Sequence, residues 1–94
     1  MKLKILYKKV STKFIKKNIS KISKNEVDNL IIKAMKKIIN KEDINIDVKK
    51  LVNNQDEFFR IRKNNIRIIF SYNQNGEIIV SIIENIGFRG DIYK

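Results

Sequence analysis

Residues Phe58 to Tyr93 read FFRIRKNNIRIIFSYNQNGEIIVSIIENIGFRGDIY, and their alternation decides the fold. Side chains along a strand point alternately to two faces. Phe59, Ile61, Ile66, Ile68 and Phe70 therefore fall on one side of two adjacent strands, and Arg60, Arg62 and Arg67 on the other. A two-residue turn at Asn64–Asn65 sets Arg62 opposite Arg67 and Arg60 opposite Ile69. Like charges placed opposite one another cost up to about 1 kcal/mol. A face that collects three arginines is thus suited to an anion. The next turn is marked by Asn75–Gly76, where both residues tolerate positive φ. A two-residue loop there places Glu84 opposite Arg67 and Ser81 opposite Phe70. Strands are expected at Phe58 to Lys63, Ile66 to Tyr72 and Glu77 to Asn85.

Outward from this sheet, Ile46 to Val52 is weakly strand-like and Asn53 to Asp56 reads as a turn. Ser23-Lys24-Asn25-Glu26 is a capping box, in which serine and glutamate satisfy free backbone donors at a helix start. It opens a helix, Lys24 to Ile39, with an apolar stripe of Val27, Leu30, Ile31, Ala34, Met35 and Ile38. Lys33, Lys36 and Lys37 lie on its other face. Val10 to Ile22 carries Phe14, Ile15, Ile19 and Ile22 at helical spacing, with Ser11 or Thr12 available as its cap. Lys2 to Tyr7 reads as a strand. The order is an N-terminal strand, a two-helix hairpin, then a mostly antiparallel sheet of three to four further strands. This is an α+β fold with the helices on one sheet face. Residues 1–94 are expected to form a single domain.

Composition narrows the chemistry. Without cysteine or histidine, the chain has no disulfide, no thiolate site and no imidazole ligand or base. No metal and no cofactor is expected. No apolar run approaches the roughly 20 residues of a membrane span, and MKLKILYKKV reads as a strand, not a signal peptide. A cytoplasmic protein without a membrane partner is expected. The net charge of +11 on its own suits a polyanionic partner: nucleic acid, the ribosome, an acidic protein or an anionic membrane surface. AT-rich coding accounts equally well for many of the lysines. It does not account for the arginines, all of which lie between Phe58 and Gly90.

Guanidinium groups grip phosphates in fork geometry and stay charged at every relevant pH. The candidates are Arg60, Arg62, Arg67, Arg89 and Tyr93, with Lys49, Lys50 and Lys63 nearby. On residue types alone, a phosphodiester-cleaving site and a plain phosphate-binding surface stand equally. Arg60 and Arg62 also read as solvated strand residues, and Tyr93 as a lid packed back on the sheet. Arg67 is expected in mid-sheet on an open face, where its replacement by alanine spares stability.

RIRKNNIRIIFSY, the hairpin after it and IGFRGDIYK together resemble the C-terminal half of RelE/ParE-type toxins of bacterial toxin–antitoxin pairs. Those show R-x-R, a short turn, Tyr-Arg on the next strand and a closing G-H-R-x-x-[IV]-Y. The specific part covers about the last third of the chain; the order of elements is similar throughout. The RelE branch implies a metal-independent mRNA endoribonuclease acting on the translating ribosome, with a cognate antitoxin as partner. In that resemblance Arg67 holds the scissile phosphate, Arg89 stabilises charge and Tyr93 orients a base. Arg60 falls where some members have a lysine base. Arg62, Lys49, Lys50 and Lys63 would line the RNA path. Two residues depart from the pattern: Phe88 replaces the closing histidine, and Arg60 is a poorer base than lysine. Glu84, expected opposite Arg67, is a substitute base or a simple ion-pair partner. The alternatives are a ParE-type toxin acting on gyrase and a non-catalytic basic binding module.

Overall fold

The computed structural model describes residues 2–51 and 57–92. Strand β1, Lys2–Tyr7, leads into helix α1, Lys9–Lys17, and helix α2, Lys24–Ile39. Strands β2, Val48–Lys50, β3, Phe59–Lys63, β4, Ile66–Asn75, and β5, Ile78–Phe88, complete the sheet. Their spatial order is β1-β5-β4-β3-β2. β1 runs parallel to β5, and every other pairing is antiparallel. Both expected helices and the expected strands are present, in the α+β arrangement read from the sequence. The expected turn at 53–56 lies outside the described residues.

The helices cover one sheet face. Ile15, Val27, Ile31, Ala34 and Met35 join Ile61, Ile68, Phe70, Ile79, Ile83 and Ile86 in one core. The stripe on α2 thus packs as its period requires. Ser23 Oγ accepts from the Glu26 backbone N–H at 3.1 Å and starts α2. In α1 the sequence expectation is corrected at both ends. The residue before it, Lys8, makes no side-chain cap, and Ser11 lies inside the helix, fully buried. Its hydroxyl donates to the Ile83 carbonyl at 3.0 Å and pins α1 to β5. The helix stops at Lys17, short of Ile22, because Asn18 folds its side-chain amide back onto the Phe14 carbonyl at 2.9 Å. A turn then returns Ile22 to the core.

The β3–β4 turn is at Asn64–Asn65, with φ 52° at Asn64. Arg62 pairs with Arg67 and Arg60 with Ile69, as expected. The β4–β5 register differs. The last pair is Asn75 with Ile78, so the loop residues are Gly76 and Glu77. Gly76 takes φ +65° at the first loop position, where a Gly-X hairpin turn needs it. An irregularity beside Ile69 then inserts one extra residue, Glu84, into β5. Phe70 consequently faces Ile83, and Arg67 faces Gly87 instead of Glu84.

Candidate phosphate-binding face

Opposite the helices, the sheet presents Lys49 from β2, Arg60 and Arg62 from β3, and Arg67 and Ile69 from β4. The pairings Lys49 with Arg60, Arg60 with Ile69 and Arg62 with Arg67 place them on one face. Lys50 and Lys63 do not join them. They pair with Phe59 and Ile66, whose side chains turn toward the helices. Each also has an acidic neighbour, Glu57 at 3.4 Å from Lys50 and Glu26 at 3.6 Å from Lys63.

The arginines are more engaged than an open face suggests. Arg67 is 5% exposed, and its Nη1 donates to the carbonyls of Asn64 at 2.9 Å and Ile66 at 3.1 Å. It therefore braces the β3–β4 turn, and Ile69 beside it is buried too. The expectation that Arg67 is solvated and dispensable for stability is corrected on this point. Arg60 and Arg62 share a counter-charge that the sequence reading missed. Asp47 Oδ1 accepts from Arg60 Nη2 at 3.0 Å, and Oδ2 from Arg62 Nε at 2.6 Å. The Asp47 carbonyl also accepts from the Arg62 backbone N–H at 2.9 Å. One carboxylate thus offsets part of the repulsion among the three guanidinium groups. Arg60 Nε is buried with no acceptor among the described residues.

The C-terminal turn folds over the same face. Gly87 lies opposite Arg67, and a Cβ placed on it would meet Ile92 Cδ1 at 3.2 Å. The missing side chain leaves room for Ile92 to dock. Arg89 is exposed in this turn, and its backbone N–H donates to the Asn65 carbonyl at 2.8 Å. Arg89 is thereby tied to the turn that Arg67 braces. Tyr93 lies outside the described residues. Phe88 points the other way, toward the helices, and meets Phe14 edge-on at 5.1 Å with Lys21 Nζ 5.1 Å from its ring centre. Glu84 is bound elsewhere, with Lys8 Nζ at 2.6 Å and the Ser71 hydroxyl at 2.7 Å.

The order of helices and strands is that of a known fold, the one seen in solved RelE toxin structures. Three solved structures align with nearly the whole chain. A copper-bound point mutant of a toxin from Helicobacter pylori aligns at 16% identity and TM-score 0.64, covering 96% of this chain and 98% of that one. The RelE–RelB complex from Pyrococcus horikoshii aligns at 20% identity and TM-score 0.56, covering 97% and 99%. The RelB–RelE antitoxin–toxin complex from Methanococcus jannaschii aligns at 19% identity and TM-score 0.50, covering 94% of each chain. No protein-family model matches the sequence, and no curated protein matches it.

Proposed function

We propose that residues 1–94 form one RelE-like toxin domain of a toxin–antitoxin pair, cleaving mRNA on the ribosome in the cytoplasm. The observation that carries this reading is the overlap, end to end, with chains whose structures were solved as toxins or as toxin–antitoxin complexes. The arginine face supports it. Arg67 and Arg89 approach one turn from two directions, and Arg60, Arg62 and Lys49 extend the positive surface along β3 and β2. In this reading the RNA 2′-hydroxyl attacks its own adjacent phosphate, the P–O5′ bond breaks to leave a 2′,3′-cyclic phosphate and a free 5′-hydroxyl, and the 2′-hydroxyl proton passes through solvent to the leaving oxygen. The guanidinium groups of Arg67 and Arg89 take up the charge that develops, Arg60 and Arg62 hold neighbouring phosphates, and Tyr93 orients a base. Lys50 and Lys63 are at most peripheral to that path, given their orientation. Glu84 is set aside as a base in this reading, since Gly87 and not Glu84 lies opposite Arg67. The ribosome supplies positioning that a small enzyme lacks. A cognate antitoxin with acidic residues would neutralise the same face.

Induction in bacteria, followed by mapping of mRNA 5′ ends, tests the reading. New internal 5′ ends together with early arrest of translation are expected. DNA-damage signalling and filamentation on intact mRNA would replace it with a ParE-type, gyrase-inhibiting function. Neither response would leave a basic binding module without chemistry.

A further inference from the structure

Arg60, Asp47 and Arg62 form a closed arrangement: one carboxylate, one oxygen to each of two guanidinium groups. Two forks converging on a pair of anionic oxygens is also how arginines hold a phosphodiester. We infer that Asp47 sets the affinity of this face for RNA, by occupying the Arg60–Arg62 clamp until a phosphate displaces it. The inference rests on the RNA-binding reading above.

Three observations carry it. First, Asp47 is held in place by the chain as well as by its charge. Its carbonyl takes the Arg62 N–H, and its neighbour Ile46 is buried in the core. The carboxylate is therefore presented to the arginines in every molecule. Second, the contact is open to competition. The Asp47 side chain is 39% exposed and that of Arg62 53%, while Arg60 at 16% reaches the site from deeper in the face, so a displacing anion enters from the Arg62 side. Water and other anions reach both partners, which weakens such pairs. Third, the resting arrangement leaves a donor unserved, since Arg60 Nε is buried without an acceptor among the described residues. A rearranged Arg60 would recover that bond. Arg60 and Arg62 thus exchange one anion for another without being exposed as a bare like-charge pair.

The test is fluorescence-anisotropy titration of the full chain with a short single-stranded RNA over a range of salt concentrations. Asp47→Asn is compared with Glu77→Gln, which removes the same unit charge at the β4–β5 turn, away from the arginines. Each phosphate newly neutralised on a single strand steepens the log–log salt dependence by about 0.7. Asp47→Asn is expected to bind more tightly at low salt and to show a slope steeper than that of Glu77→Gln by roughly 0.7, from the one phosphate held in the freed clamp. Asp47→Glu, which keeps the charge, is expected to stay near the parent slope. Circular dichroism checks folding, and Asp47→Ala repeats the test if the amide disturbs the β2–β3 edge. An Asp47→Asn curve that matches Glu77→Gln, or that binds more weakly, overturns the inference while the RNA reading stands. If neither the parent nor Asp47→Asn binds RNA, the RNA reading fails and the inference falls with it.

Discussion

In the proposed cleavage site, Arg89 is the residue whose replacement separates chemistry from stability, and Arg67 the one whose replacement affects both. Arg67 is buried and supplies donors to two turn carbonyls. Alanine there leaves those carbonyls without their partner, at a cost of about 1–3 kcal/mol. For a chain of this size that is a fall in Tm of several degrees, measurable by thermal denaturation. Arg89 is exposed, so Arg89→Ala is expected to leave stability within about 0.5 kcal/mol. Cleavage should nonetheless fall by roughly a hundred- to a thousand-fold, the effect of losing one charge-stabilising donor. Loss of toxicity in Arg89→Ala, at an undiminished protein level, is the cleaner evidence for an active site. Tyr7 offers a different handle. Its hydroxyl donates to Asp28 at 2.5 Å, tying β1 to α2. Burial first, then the hydrogen bond and the charge of Asp28, raise its pKa above the ordinary value. The unfolded chain releases this proton near pH 10 while the folded chain keeps it. The stabilisation is therefore complete below about pH 10 and is lost as pH rises beyond. Tyr7→Phe should cost about 1–2 kcal/mol near neutrality. In denaturant titrations the gap to the parent should narrow above pH 10.

At the scale of elements, α2 carries the firmest expectation. Met35 is fully buried, so Met35→Asp would place an unpaired charge in the core at a cost of several kcal/mol. A domain this small should then lose its cooperative unfolding transition. A normal melt would mean that the stripe packs differently. The elements also show what the sequence made legible. Alternation in β3 and β4 has one solution, because a one-residue slip would turn Ile61 and Ile68 to the arginine side. The β3–β4 register and the arginine face follow from it. β5 was not so constrained, since IIVSII is apolar on both parities and accepts either register. The inserted Glu84 leaves no mark in such a run, so its pairing was misplaced. Asp47 was missed for a related reason. Nothing in the sequence fixes how the short β2 registers on β3, and only that register sets Asp47 beside the arginines. The shorter α1 turns on Asn18, whose amide competes with the helix for the Phe14 carbonyl.

For the whole molecule, charge is the dominant property. With a net charge of +11, association with RNA or ribosomes should weaken steeply as salt rises, because bound counterions are released. Filter binding or sedimentation with ribosomes over a salt series checks this. A flat response would mean that the basic surface is not the contact. The placement of β5 between β1 and β4 has a further consequence, for synthesis. Among the described residues β1 pairs only with β5, the last of the five strands in chain order, and α1 is pinned to that same late strand through Ser11. Pairings this distant along the chain form slowly and cannot be replaced by local ones. Until β5 emerges, β1 has no strand among the described residues to pair with, and nothing joins it to β4. The turn bearing Arg89 follows β5, so the arginine face is assembled only after that strand has been made.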